Sequence, residues 1–342
     1  MRAVVYDEVG GPEVLHLADV PTPEPGEDEV LVRVLAVAVD FIQLHIRHGG
    51  SGRIGSPKEP AYGLAPLPRI PGGTACVEVV ECGSAVTGVQ VGERHLVGGL
   101  RPGSYVEYGV VSAGSLSLGT PDAPGPSAIP ANLGPVEAAA FDYAPVAYHT
   151  LQVAAGLTAG ETVLIHSAAG GTGVLAVQLA KHFGATVIGV ASSDEKLEVV
   201  ESLGADHTIN SRTADVIEET LRLTGGEGVD VVWDPVGGDV FEQSPRAMAE
   251  GGRLVSLGSN SFTGSGTVEF WSFWVKNLRL IGWGGQSNAD AHAPEIMREL
   301  IELAEAGRLR PLVGGTYPFA DAAAAHAAIE ARKPTGKVVL VP

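Results

Sequence analysis

The sequence predicts an α/β protein of two domains, one a doubly wound parallel sheet and the other β-rich. Three observations carry this. From Glu161 onward, short apolar runs alternate with helical segments, the pattern of a parallel sheet with right-handed crossovers. Residues 1–119 instead hold strand-like runs between Gly and Pro turns. A chain of 342 residues also exceeds one typical domain and suffices for two cores.

In chain order, RAVVYDE, VLHLADV, EVLVRVLAVAVD, ACVEVVECG and SYVEYGVVSA read as strands of the β-rich part. Residues 49–71 carry many Gly and Pro without periodicity and read as a long loop, of a kind that is commonly functional or mobile. A Pro-rich connector occupies 119–135, and Val136 to Val153 is Ala-rich and helical in pattern despite Pro145. The strands TVLIHSA, TVIGVAS, HTINS, VDVVWDPV, GRLVSLG and LRLIGWG come next, separated by helical segments that include DEKLEVVESLGA, ADVIEETLRLTG and FEQSPRAMAEG. The helix APEIMRELIELAEAG, the strand RPLVGGTYPF, the helix ADAAAAHAAIEAR and the strand GKVVLVP close the chain and return to the first domain. The expected boundaries are 1–132 and 286–342 for the β-rich domain and 133–285 for the parallel sheet.

The richest stretch is 161–193, which reads as strand, glycine turn, helix and second strand, half of a dinucleotide-binding fold. The turn Ala168 to Gly173 opens a helix whose free N–H groups and positive dipole end suit a pyrophosphate. Gly170 and Gly171 let backbone approach phosphate oxygens beside Thr172, and Gly173 lets the helix pack closely on the strand. A glycine turn that binds nothing is the plain alternative, but the end of the second strand favours a ligand. That strand ends in Ala191, Ser192 and Ser193, with Lys196 beyond, where an NAD-binding unit has an acid for the ribose 2′-hydroxyl. Hydroxyls and an ammonium there favour a 2′-phosphate, hence NADPH over NADH.

Composition narrows the rest. Hydrophobic residues make up 45% and no apolar run reaches the length of a bilayer span, so no membrane partner is expected. The net charge of −18 repels nucleic acid and anionic lipid surfaces alike. The start has no signal-peptide pattern. Cys76 and Cys82 fall in one strand-like run, roughly 20 Å apart, too far for a mutual disulfide. Buried thiols in a reducing cytoplasm are the expectation, with no structural zinc.

Several blocks then resemble the zinc-independent quinone oxidoreductase branch of the medium-chain dehydrogenase/reductase superfamily. They are VAVDFIQLHIRHG, IPGGTACVEVVECGSAV, VGERH, GSYVEYGVV, SAAGGTG, LGADHTIN, GGEGVDVVWDPVGG, GGRLVSLG and TGKVVLVP, in order over nearly the whole chain. The resemblance implies a GroES-like catalytic domain, a central Rossmann domain and NADPH in the cleft. It implies a homodimer paired through Leu278 to Gly284. Where zinc-dependent relatives have ligands, this chain has Asp40, Gly73, Thr74 and Tyr143, so no metal is expected.

By the same resemblance, Asp40, Gln43 and Arg47 stand at the family's NxxDxxxR, with the Asn and the Asp both changed. Asp40 would be the charge beside the nicotinamide, and His45 either a proton donor to the reduced product or a buried structural histidine. Gly170, Gly171, Thr172 and Gly173 would hold pyrophosphate, and Ser192, Lys196 and Arg212 the 2′-phosphate. Asp234 and the run Leu257, Gly258, Ser259 end later strands at the ligand-binding edge, Asp234 being either a contact or a turn cap. Lys337 matches a residue that reaches the nicotinamide side. Trp271, Phe273, Trp274 and Trp283 would line an aromatic pocket or bury the dimer interface.

The function expected is NADPH-dependent hydride transfer to a quinone or an α,β-unsaturated carbonyl compound, a small-molecule acceptor. A tailoring enoyl or ketone reductase of secondary metabolism is the alternative within enzymes. An NADPH-binding sensor or structural protein with little turnover is the alternative outside them.

Overall fold

The computed structural model describes residues 1–49, 67–116, 129–263, 265–284 and 293–342. The chain divides into two units, residues 1–142 with 289–342, and residues 143–288. The first division comes after Asp142 rather than residue 132, because the helix Pro135–Ala140 packs on the strands of the first unit. Most of the long 49–71 loop and of the 119–135 connector lies outside the described residues.

In the first unit, β1 (Arg2–Val5) and β2 (His16–Asp19) form an antiparallel pair. Then come β3 (Glu29–Ala38), β4 (Ala75–Cys82), β5 (Arg94–Val97) and β6 (Tyr108–Ser112). Along β3 the side chains of Val30, Val32 and Val34 enter the core while Arg33 faces solvent, the two-residue alternation of a sheet with one wet face. Strand β3 pairs antiparallel with both β4 and β6. Cys76 and Cys82 lie near opposite ends of β4 as free thiols, and burial pushes the Cys76 thiol up to about 12.

The second unit carries β7 (Thr162–Ile165), β8 (Thr186–Ala191), β9 (His207–Asn210), β10 (Val229–Asp234), β11 (Met248–Ser256) and β12 (Arg279–Gly282). All pairings are parallel and the sheet order is β12-β11-β10-β7-β8-β9. The order reverses between β7 and β10, the switch point of a doubly wound sheet. Val163, Leu164, Ile165, Val187, Val231 and Val232 are fully buried, which explains why these strands read as continuous apolar runs.

Two helical readings shorten. Val136 to Val153 is not one helix but Pro135–Ala140, Ala144–Tyr148 and a π-type turn His149–Ala154. Pro145 has no N–H to donate and so opens the second piece rather than interrupting a longer one. In FEQSPRAMAEG the helix is Asp239–Gln243, Pro245 sits in a 3-10 turn, and Met248 already begins β11.

The last residues rejoin the first unit through β13 (Val313–Pro318) and β14 (Lys337–Val341), in the order β13-β14-β3-β4-β5. Strand β14 runs antiparallel to the end of β3, with Val339 opposite Ala38, and Val39 N–H donates to the Val338 carbonyl at 2.9 Å. That register brings Lys337, the first residue of β14, opposite Asp40, two residues past the end of β3. The helix Pro135–Ala140 packs across β3, β4 and β14, which carries Asp142 to the same place.

Candidate active site

In the second unit, the residues expected to hold a dinucleotide lie at or beyond the carboxyl ends of strands, Lys196 in the helix that follows β8. The glycine turn follows β7 after two residues, and Ser167, just before the turn, adopts a positive φ of 52°. A Cβ on Gly173 would stand 2.2 Å from the Ser167 carbonyl oxygen, so only glycine permits this helix to start so close to the strand. The helix Gly173–His182 begins behind Thr172 without a side-chain cap, which leaves its positive end for an anion. His166, just before the turn, is buried 3.3 Å from the Ser244 hydroxyl, and burial pulls its imidazole down to about 4.

Ser192 lies just past β8, Lys196 in the first turn of the helix Asp194–Ser202, and Arg212 just past β9. The Ser211 N–H and hydroxyl both donate to the Ala191 carbonyl, at 2.9 and 3.2 Å, so the ends of β8 and β9 are tied together. Asn210 links the same corner to Asp194 at 2.7 Å. Beyond the switch point, the Asp234 Oδ1 accepts the N–H groups of Val236 and Gly237 at 2.7 and 3.1 Å, the bonds of a turn cap. Its Oδ2 is buried without a hydrogen-bond partner among the described residues, and burial raises its pKa. Leu257, Gly258 and Ser259 pack on this turn: a Cβ on Gly258 would meet the Pro235 carbonyl at 2.8 Å.

The first unit contains a buried charge cluster. The Lys337 ammonium lies 2.6 Å from Asp40 Oδ1 and 3.3 Å from Asp142 Oδ1; the Lys337, Asp40 and Asp142 side chains are 8%, 7% and 0% exposed. Asp40 occupies the N-cap position of the helix Phe41–Arg47 yet makes no capping bond, because its carboxylate is turned to Lys337. Gly73 makes room for it, since a Cβ there would lie 2.5 Å from the Ala38 carbonyl and 3.3 Å from Asp40 Oδ2. Burial works against the Lys337 charge, but the charge of Asp40 and its hydrogen bond with Lys337 raise the pKa of the ammonium. Burial raises Asp142 well above the carboxylate range, Asp40 adds to this, and the Lys337 charge only partly offsets it.

The remaining expected residues divide. Gln43 Oε1 accepts the Gly72 N–H at 3.2 Å and fastens the loop before β4. His45 is buried, with its ring edge-on to Phe41 at 5.2 Å. Arg47 is fully buried and donates to the Gly10 carbonyl at 3.1 Å, to His326 Nδ1 at 2.8 Å and to Glu330. Asp142 was missed by sequence reasoning; a lone acid inside the apolar run AAAFDYAPVA was the available signal.

Two family models match the chain, "Alcohol dehydrogenase GroES-like domain" over residues 26–118 and "Zinc-binding dehydrogenase" over residues 171–306. A quinone oxidoreductase of Pseudomonas aeruginosa is 32% identical, with 100% of this chain and 99% of the relative covered. The chain belongs to the medium-chain dehydrogenase/reductase superfamily, in its quinone oxidoreductase-like branch. A second relative, the chloroplastic NADPH-dependent alkenal/one oxidoreductase of Arabidopsis thaliana, is 32% identical over 100% of this chain and 80% of its own. The crystal structure of Escherichia coli quinone oxidoreductase complexed with NADPH is 29% identical, covers both chains fully and superposes with a TM-score of 0.86.

As a medium-chain dehydrogenase/reductase, the protein is an oxidoreductase with a Rossmann-type parallel sheet and a GroES-like unit. The word zinc in the matched description does not describe its own donors. Of Asp40, Gly73, Thr74 and Tyr143, Gly73 offers no ligand atom and Asp40 is already committed to Lys337, so the set does not fit a zinc ion. No helix among the described residues is long and apolar enough to cross a membrane.

Proposed function

We propose that the protein is an NADPH-dependent reductase that passes hydride to a quinone or an α,β-unsaturated carbonyl compound without a metal. The observation that carries this reading is the gathering, at one edge of the parallel sheet, of an uncapped helix start with Ser192, Lys196 and Arg212. The names of the relatives in quinone and alkenal/one reduction support the acceptor class.

Bound NADPH supplies the hydride. The backbone N–H groups of Gly170 to Gly173 bind the pyrophosphate, with Asp234 and Leu257 to Ser259 completing the strand-end wall. Ser192, Lys196 and Arg212 select the 2′-phosphate by charge-assisted hydrogen bonds. In the first unit, Asp40 holds the Lys337 ammonium charged and directed, and Lys337 stabilises and protonates the oxygen of the reduced acceptor. Gln43 keeps the Gly72 loop in place, and His45 packs the same helix. Conjugated acceptors suit an ammonium rather than a Lewis acid, since delocalisation already lowers the charge to be stabilised.

The protein acts as a homodimer in this reading. Strand β12 is the edge of its sheet, and Phe270, Trp271, Trp274 and Val275 beside it are 77%, 62%, 61% and 60% exposed, a large apolar face for a monomer. The reductase is tested by NADPH consumption with quinones, enones and enoyl thioesters, with an NADH control and product identification.

A further inference from the structure

We propose that Asp142 is the proton reserve of this site: its carboxylic acid re-protonates Lys337 after Lys337 has given a proton to the reduced acceptor. The proposal rests on the reductase reading above and adds a positioning residue that acts through Lys337.

The geometry begins with one ammonium between two acids, at 2.6 Å from Asp40 Oδ1 and 3.3 Å from Asp142 Oδ1. Were all three groups ionised, the cluster would bury a net negative charge, and a buried group in that position neutralises instead. Asp40 makes the short contact with the ammonium. Asp142 is the group that keeps its proton: its side chain is 0% exposed, and burial with the Asp40 charge raises its pKa far above the usual range. Neither Asp142 oxygen completes a well-aligned hydrogen bond among the described residues, yet the acid stands within reach of both Lys337 and Asp40 and interacts with each. Tyr105 also feels the Asp40 charge, but its hydroxyl is engaged 3.1 Å from His326 Nε2, and Arg47 is bound to the other side of that ring.

The proton balance is simple. Bound NADPH would supply the hydride, its own C–H bond breaking as it is oxidised to NADP+, and the new C–H bond on the acceptor leaves negative charge on the acceptor oxygen. An Nζ–H bond of Lys337 breaks, its proton joins that oxygen, and Nζ keeps the lone pair. The O–H bond of Asp142 then breaks, its proton restores the ammonium, and a carboxylate remains at Asp142. Between turnovers this carboxylate, destabilised by burial and by Asp40, regains a proton from water.

The test compares the first turnover with later ones in Asp142→Asn, which keeps size and polarity but has no acid proton. Its first turnover should stay within about threefold of wild type, because Lys337 starts protonated, while the steady state falls roughly 100-fold. NADPH oxidation should then show a burst of one equivalent per site, with NADPH affinity unchanged. Asp142→Glu, which restores a carboxylic acid, should recover most of the steady-state rate. A wild-type steady state in Asp142→Asn, or first and later turnovers slowed alike, would overturn the proposal. Should Asp142→Asn not fold, the infrared spectrum of the wild-type protein at neutral pH decides: absence of a neutral buried carboxyl band overturns it, and loss of such a band in Asp142→Glu with a shifted one in its place supports it. A wild-type protein that oxidises no NADPH with any acceptor refutes the reductase reading itself; a burst-free variant of an active enzyme refutes only the reserve.

Discussion

Lys337 Nζ and Asp40 Oδ1 stand 2.6 Å apart although 297 residues separate them in the chain. The pairing of β14 with the end of β3 makes this contact, so the buried ion pair reports the closure of the first unit as well as its charge. Removing one partner strands the other without solvent. Lys337→Met should therefore destabilise the protein by about 3 kcal/mol in urea unfolding. Adding Asp40→Asn should recover at least about 1 kcal/mol of that loss, because a neutral amide no longer needs the ammonium. Additive losses in the double variant would deny the coupling.

Gly73 is the second constraint on Asp40. A methyl group there would press on the Ala38 carbonyl at 2.5 Å and on Asp40 Oδ2 at 3.3 Å. Gly73→Ala should cost about 2 kcal/mol and lower kcat more than it raises KM for NADPH, since the disturbed residues lie in the first unit. An increase in KM for NADPH with kcat intact would place the effect elsewhere.

The 2′-phosphate reading is checked by cofactor preference. Lys196→Ala and Arg212→Ala should each raise KM for NADPH roughly tenfold or more, the worth of a charge-assisted hydrogen bond, and leave that for NADH nearly unchanged. Equal losses with both cofactors would mean that these residues support the corner of β8 and β9 rather than read the phosphate.

The parallel sheet was legible because its central strands are buried on both faces and alternate with helical segments, so local pattern and tertiary role agree. The glycine turn after β7 was legible for a related reason: Gly173 is forced by a backbone contact within the same segment. The charge cluster was not. Asp40, Asp142 and Lys337 meet only because β14 docks on β3 and the helix Pro135–Ala140 folds across both, and no spacing rule encodes that. The hydrogen bond from the Gly72 N–H to Gln43 was not legible either, because the two residues lie 29 positions apart in the chain. A single helix from Val136 to Val153 fails at Pro145, where a missing donor outweighs alanine propensity.

Acid stability tests the network behind the site. Arg47 only donates, so its 2.8 Å bond fixes His326 Nδ1 as an acceptor and places the ring proton on Nε2, toward Tyr105. Burial first, then the Arg47 and His48 charges, lower His326 to about 3. An unfolded histidine titrates near 6.5, so below that pH the unfolded chain takes up a proton that the folded one refuses. This contribution to stability is complete above the unfolded value and is lost as the pH falls toward 3. Asp142 and Asp234, whose pKa values are raised, slope the opposite way, so the comparison with a variant is what counts. Between about pH 7.5 and about pH 5, His326→Gln should lose fewer degrees of Tm than wild type, by about 2 °C or more. Parallel curves would show that His326 is already charged in the folded protein.

Hydride transfer from NADPH to a conjugated acceptor is the activity on which every role assigned above depends. It is measured by cofactor oxidation with the purified protein across quinones, enones and enoyl thioesters, and by isolation of the reduced product. Acceptor-dependent NADPH oxidation is expected, at least about tenfold faster in kcat/KM than with NADH, with a product reduced at the conjugated system. NADPH bound but never oxidised by any acceptor, or NADH used equally well, would contradict it.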